Sequence, residues 1–152
     1  MASDALLTIK EIKGESKDFT LPGAIHLQSF TWHLEAPFSG TQRSGAVNVG
    51  ALVVVKHTDD SSVDLMDYLL RNRVIAKASL VVRKAGEKPL DFYVVNIFDA
   101  SVKSIGKSFV QDTVVETIAF VFQRFKFEAR EQSSRGMAAG QKMIEYNVAE
   151  NR

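Results

Sequence analysis

Residues 78–94 read ASLVVRKAGEKPLDFYV, and this stretch decides the fold. Every second residue from 78 to 82 is apolar, a glycine and a proline follow at 86 and 89, and the alternation resumes at Leu90. Apolar alternation on both sides of a turn predicts two antiparallel strands joined as a hairpin. The return strand is also apolar on its second face, which is typical of a strand covered on both sides.

Further strands are predicted on both sides of this hairpin. Short runs rich in Val, Ile, Phe and Thr recur between turn residues, and they predict strands at 6–13, 24–34, 47–57, 114–129 and 144–148. Apolar parity changes between Phe122 and Phe125, which predicts a β-bulge or a bend there. Residues 101–113 and 131–141 are polar enough to be predicted as connections.

One helix is predicted, over residues 61–72. A serine at 61 or 62 supplies the cap, leucines form an apolar stripe, and Asn72 suits a left-handed stop. The predicted fold class is therefore mostly β: a small antiparallel β-barrel or two-sheet β fold with one lateral α-helix, in a single domain spanning 1–152. Because one helix cannot cover all strands that are apolar on both faces, part of that surface is expected to meet another subunit.

Composition excludes several classes of partner. The 152 residues carry 19 basic and 18 acidic side chains, a net charge of +1, which gives no overall attraction to nucleic acid. There is no cysteine, no apolar run of 18 residues and no pattern of a signal peptide. We therefore predict no nucleic-acid partner, no membrane insertion, and synthesis in the cytoplasm without a cleaved signal peptide.

The sequence shows no pattern of catalytic or metal-binding residues. His26, His33 and His57 lack metal-ligand spacing, and the acidic residues that follow His57 are better explained as a strand-to-helix turn. No serine lies in a nucleophile elbow, and the FQRFKF run at 122–127 is better explained as a core strand than as a single-strand binder. We predict no catalytic residue, no cofactor and no metal.

Residues 9–18, IKEIKGESKD, and 78–86, ASLVVRKAG, together resemble the haemolysin-coregulated protein family, with further matches at Trp32, Glu116 and Phe127. The resemblance extends from end to end. It implies a structural subunit of the type VI secretion inner tube, made in the bacterial cytoplasm and secreted through the machine. Six subunits would form a ring, and stacked rings would form a conduit that carries small effectors, beneath a valine-glycine repeat spike protein and inside a contractile sheath.

The resemblance also assigns two candidate sites. Thr31, opposite Trp32 on its strand, corresponds to the position that the family places in the lumen. The loop before Val47 corresponds to the segment that reaches the next ring, which makes ring-stacking candidates of Ser39, Gly40, Thr41, Gln42, Arg43, Ser44 and Gly45. This loop is shorter here than in many relatives, and the helix carries more charge.

Two other readings remain open at this point. The first is a monomeric β-sandwich adaptor or ligand-binding module without catalytic activity, which would contain a concave pocket. The second is an enzyme, such as a toxin attached to a tube domain, although the resemblance leaves few residues for a further domain. Solution mass separates the first from a ring.

Overall fold

The computed structural model describes residues 3–16, 21–84, 90–132 and 138–152. Within these ranges, strands dominate and one helix follows the sixth strand. The elements are β1 (Ser3–Ile9), β2 (Ile25–Leu27), β3 (Ser29–Glu35), β4 (Phe38–Ser39), β5 (Gln42–Arg43), β6 (Asn48–His57), α1 (Ser61–Leu70), β7 (Ile75–Lys84), β8 (Leu90–Val110), β9 (Thr113–Gln132) and β10 (Ala138–Asn147).

The strands form one curled antiparallel sheet. Its order is β2-β1-β7-β8-β9-β6-β3, with β10 on the far half of β9, and β4 and β5 form a separate small sheet. Strands β2 and β3 stand at opposite ends of this order, yet only Gln28 separates them in the chain. The Gln28 amide donates to the Val55 carbonyl at 2.7 Å, so the sheet curls until its two ends meet in one segment. The predicted fold class is confirmed.

The core fills the inside of the curled sheet. Inward residues of successive strands, such as Leu80, Ile97, Phe120 and Leu52, are almost fully buried. Helix α1 adds Leu65 and Tyr68 to the same cluster, which is why the helix lies against the sheet. This burial is the main source of stability, at about 1.5–3 kcal/mol for each large apolar side chain.

Aromatic rings close one end of the core. The Trp32 ring lies edge-on to Phe125 at 4.9 Å between centroids, and Phe122 packs against both rings. The Trp32 indole nitrogen donates to the Gly50 carbonyl at 3.1 Å, so its polar atom is satisfied. A Cβ at Gly50 would lie 2.5 Å from the His33 carbonyl oxygen, where the β3–β6 register shifts. Glycine at 50 therefore lets the irregular part of β3 approach β6.

The KGES motif also marks a close backbone approach. The Gly14 amide donates to the Gly23 carbonyl at 2.7 Å, and the Ser16 amide donates to the Ala24 carbonyl at 2.9 Å. A Cβ at Gly14 would lie 2.6 Å from the Ala24 carbonyl oxygen. The segment at 24–25 thus passes too close for any side chain at 14.

Several predicted strand limits are wrong. Strand β1 ends at Ile9, and Ile12 only forms an isolated bridge back to it. The predicted strand at 24–34 divides at Gln28, where the inward parity changes from Ile25 to Phe30 and Trp32. The turn predicted at 85–89 lies outside the described residues.

Strands extend into both predicted polar connections. Residues 101–110 continue β8 and pair with β9. Of the second connection, residues 131–132 belong to β9 and residues 138–141 to β10, and 133–137 lie outside the described residues. The parity of buried residues on β9 does change between Phe122 and Phe125, since both rings are buried. The predicted bulge is wrong at this place, because the β8–β9 register shifts only between Val102 and Ser104; Asp99, between the pairs Phe98–Arg124 and Ala100–Phe122, takes a φ of 51°.

The helix is close to its predicted limits, and it ends two residues early at Leu70. Ser62 Oγ accepts from the Asp59 amide at 3.0 Å, and Asp59 Oδ1 accepts from the Ser61 amide at 2.9 Å. The predicted serine cap is wrong, because Asp60 is the N-cap residue and its side chain makes no capping hydrogen bond; the Ser61 amide is satisfied by Asp59 instead. Asn72 has a φ of 52°, which confirms the predicted left-handed stop.

Candidate functional site

A buried ionic cluster joins the helix to the sheet. We use this name for the four charged residues Lys56, Asp59, Lys107 and Glu116. The Lys56 side chain is fully buried, and its Nζ lies 2.9 Å from Asp59 Oδ1 and 3.0 Å from Glu116 Oε1. Nζ also donates to the His57 carbonyl and to Ser62 Oγ, at 2.9 and 3.0 Å. A buried ammonium is tolerable only with such partners.

Glu116 is the centre of this cluster and has 1% of its side chain exposed. Ser62 Oγ donates to Oε1 at 2.8 Å, while Thr58 Oγ1 and Lys107 Nζ donate to Oε2 at 2.9 and 2.6 Å. Burial raises the pKa of Glu116, but the hydrogen bonds from Lys107, Lys56, Ser62 and Thr58 outweigh it and lower the pKa to about 2. The carboxylate is therefore ionised at neutral pH.

The cluster has a structural role, because each of its polar groups is already bound to a partner. Its two carboxylates and two ammonium groups balance, and Ser62 Oγ uses its one proton on Glu116 while accepting from Lys56 and the Asp59 amide. A hydroxyl held in this way is not a poised nucleophile. What the arrangement does is hold the first turn of α1 against β6, β8 and β9.

Two rows of uncharged residues lie on the outside of the curled sheet, on strands β3, β6, β9 and β8. Thr31 pairs with Val53, Val53 with Ala119, and Ala119 with Ser104, so these four side chains form one row across the sheet. The next row contains Ser29, Val55, Thr117 and Gly106. We call these two rows the outer face. Thr31 lies on it, opposite the half-buried Trp32 as predicted, and is exposed.

The candidate stacking loop is a small hairpin that leaves the body of the protein. Strands β4 and β5 pair through Phe38 with Arg43 and Ser39 with Gln42, and Gly40 takes a φ of 64° in the turn. The Ser44 amide donates to the Pro37 carbonyl at 2.9 Å, which closes the base. All residues from 37 to 46 are exposed, and Phe38 is 59% exposed. A two-stranded hairpin without a core of its own is marginally stable, and the exposed ring of Phe38 is available for a contact.

Other exposed apolar side chains surround a groove between α1 and β8. The groove has a volume of about 350 Å³ and is lined by Met66, Leu69, Leu70, Ile105 and Lys107. Phe109 and Val114, at the end of the β8–β9 hairpin, are also exposed, as are Met143 and Ile144 on β10. Thr31, the small hairpin and this groove lie on different parts of the sheet, so the structure does not join them into one site.

The three histidines do not form one site, because His33 lies apart from His26 and His57. The His57 ring is hydrogen-bonded to Gln28, and the His33 ring lies 3.6 Å from a carboxylate oxygen of Glu35. A shallow pocket of about 140 Å³ contains His26, His57 and Asp59, but Asp59 is already bound to Lys56. In the described ranges, no group of three or more His, Cys, Asp or Glu side chains is placed to hold a metal ion. No described helix is long and apolar enough to cross a membrane.

Sequence reasoning missed the ionic cluster. Lys56 and Glu116 are 60 residues apart, and no local motif joins them. One signal was present, because Lys56 follows Leu52 and Val54 at the inward spacing of two in an otherwise apolar strand. A lysine at an inward position implies a buried carboxylate on a neighbouring strand.

The fold and these surfaces define a class of protein: a small curled β-sheet with one described helix, whose buried charges are paired and whose surface carries exposed apolar side chains. Comparisons with known proteins agree. The family model described as "Type VI secretion system effector, Hcp" matches residues 6–128. The chain belongs to this family, the haemolysin-coregulated tube proteins of type VI secretion.

Individual relatives match over nearly the whole chain. Protein hcp1 of Pseudomonas aeruginosa is 28% identical over 147 residues, covering 92% of this chain and 91% of that protein. The crystal structure of Hcp1 from Salmonella typhimurium is 27% identical, with a TM-score of 0.81 over 100% of this chain and 99% of the other. A further type six secretion system protein superposes with a TM-score of 0.89 at 21% identity, over 99% of both chains, and shows the fold alone.

Proposed function

We propose that this protein is the structural subunit of a type VI secretion inner tube, in which six copies form a ring and rings stack into a conduit. The observation that carries the proposal is the outer face: two rows across four strands without a charge, on a chain of the Hcp family. A wall of small, uncharged side chains lets a folded cargo slide, because it offers no strong ionic contact to hold it.

In this proposal the outer face lines the lumen, and Thr31 contacts small secreted effectors there. The residue is exposed, and the other members of its row, Val53, Ala119 and Ser104, are uncharged. A surface of this kind makes weak contacts that are renewed along the tube. The work of secretion then belongs to the contractile sheath, and the subunit itself needs no cofactor and performs no catalysis.

The hairpin of β4 and β5 makes the contact to the next ring. It includes six of the seven stacking candidates, Ser39, Gly40, Thr41, Gln42, Arg43 and Ser44; the seventh, Gly45, follows its base, and the hairpin presents Phe38 to solvent. A ring requires unlike patches on each subunit, and the groove beside α1 and the exposed edge of β10 offer such a pair. The valine-glycine repeat spike protein and the sheath complete the set of partners, with secretion through the machine as the route out of the cell.

Light scattering during size exclusion, over a range of protein concentrations, tests the assembly directly. We expect a species of about six times the 16.8 kDa of one chain, or multiples of it. A 16.8 kDa species that persists at the highest concentration contradicts self-assembly and favours the monomeric β-sandwich adaptor or ligand-binding module, for which the groove of about 350 Å³ would be the pocket.

A further inference from the structure

The four charges of the ionic cluster balance only when Lys107 is in place. Lys56, Asp59 and Glu116 alone carry one excess negative charge, and Lys107 neutralises it through its 2.6 Å contact with Glu116 Oε2. Three members are almost fully enclosed, with 0%, 11% and 1% of the side chain exposed, whereas Lys107 has 37% exposed. Lys107 is thus the member that solvent reaches.

Lys107 also lines the groove beside α1. The other lining residues are Met66, Leu69, Leu70 and Ile105. The first turn of the helix is fixed to the same cluster, because Ser62 Oγ donates to Glu116 and accepts from Lys56. The Lys107 ammonium group therefore belongs both to the groove and to the cluster that holds the first turn of α1.

We propose that the ionic cluster is a latch for helix α1, which opens when its charge balance is broken, either by protonation of Glu116 or by loss of the Lys107 contact. With Glu116 neutral, Lys56 and Lys107 carry two positive charges against the single charge of Asp59. The Ser62 contact weakens, and the first turn of α1 separates from β6 and β9. Opening uncovers the sheet beneath Leu65 and widens the groove.

The charged groups on every element around Glu116 fit this account. Strand β6 supplies Lys56 and also His57, whose ring turns away to Gln28. The turn supplies Asp59, β8 supplies Lys107, and the exposed Asp60 and Asp64 of the helix start lie in solvent. The latch belongs to the single subunit and does not depend on the proposed ring.

A charge-balanced double variant separates a latch from general support of the fold. Lys107→Met leaves one excess negative charge and Glu116→Gln leaves one excess positive charge. The combination of both restores balance, with Lys56 against Asp59. We would measure hydrogen–deuterium exchange of amides 61–70, with amides 75–84 of β7 as the internal reference.

At pH 7 we expect each single variant to speed exchange of the helix by at least about tenfold while β7 is unchanged, since a buried charge loses its partner. The double variant should return to within about threefold of the unmodified protein. Helix exchange that is unchanged in both singles, that changes equally in β7, or that stays fast in the double variant overturns the latch.

If a single variant does not fold, hydrogen–deuterium exchange of the unmodified protein still tests the latch. After correction for intrinsic exchange rates, its helix should lose protection between pH 4.5 and pH 2.5 before β7 does. Loss of protection in the two segments at the same pH overturns the latch equally.

Discussion

Lys56 determines how the first turn of α1 is held. The residue occupies an inward position on β6, and its ammonium group has no route to water. Its charge requires Glu116 and Asp59, and those carboxylates in turn hold Ser61, Ser62 and Thr58. A single buried ammonium group thus organises five residues on β9, on α1 and in the turn before α1, and loss of one partner would leave a buried charge unpaired.

The stability of the protein should fall in acid because of Glu116. Its pKa is about 2 when folded and near 4.5 in its ordinary state, so this carboxylate stabilises the fold fully above pH 4.5. The contribution is lost as the pH falls from 4.5 towards 2, and amounts to about 3 kcal/mol. Urea unfolding at half-unit pH steps measures it. The double variant Lys107→Met with Glu116→Gln lacks this carboxyl and should show a flatter profile; equal profiles contradict the assignment.

Gly14 offers a sharp test of the close approach in the KGES motif. We expect Gly14→Ala to lower the free energy of unfolding by about 2 kcal/mol or more, since its Cβ would meet the Ala24 carbonyl oxygen at 2.6 Å. Gly106→Ala is the matched control, because a Cβ there meets nothing within 4 Å. Urea denaturation of both variants gives the comparison. Equal loss in both would contradict the contact as the cause, because Gly→Ala lowers the entropy of the unfolded chain and by itself stabilises both variants.

At the scale of elements, alternation predicted β6, β7 and the start of β8, because each has an inward face of large apolar residues. For β10 it predicted only the end of the strand, whose Ile144 is exposed. The second half of β8, residues 101–110, was predicted as a connection. Its residues Ser101, Lys103, Ser104 and Lys107 read as a polar connection, yet pairing with β9 keeps them in a strand that faces solvent. Local propensity cannot supply this information, because the partner strand imposes the extended conformation. The division at Gln28 was missed for the same reason, since closure of the sheet causes it.

The tip of the β8–β9 hairpin should accept a better turn. Gln111 and Asp112 take φ values of 49° and 64°, and together they form a two-residue connection between Val110 and Thr113. Both positions favour Asn and Gly. We expect Gln111→Asn with Asp112→Gly to stabilise the fold by about 1 kcal/mol, read as a rise in thermal midpoint. Gln123→Asn, on β9, is the control and should not stabilise. No rise in the double variant would contradict the turn assignment.

At the scale of the whole molecule, the family and the curled sheet could be predicted, because two motifs and the alternation carry them. The role of each surface could not, since Thr31 and the hairpin are exposed and no contact within one chain tests them.

Substitution tests whether Thr31 lines the lumen. Thr31→Glu should leave the ring mass unchanged but lower the level of a co-expressed effector by severalfold, because a charge enters the proposed lumen. Val74→Glu, which adds the same charge to an exposed loop residue, should not. Unchanged effector levels with Thr31→Glu would remove Thr31 from the lumen.

The small hairpin carries the prediction about stacking. Its two-residue strands have few contacts of their own, and the aromatic side chain of Phe38 is exposed. Burial of this side chain against the neighbouring hexamer would therefore stabilise the stack. We expect Phe38→Ser to leave single rings intact and to weaken their stacking by at least about tenfold, since burial of one such side chain contributes about 1.5–3 kcal/mol. Sedimentation velocity separates single rings from stacks. Val74→Ser removes an apolar side chain of similar exposure and should leave the stacks unchanged. Stacks of equal strength in both variants would move the contact away from the hairpin, and loss of single rings in Phe38→Ser would place the hairpin within the ring instead of between rings.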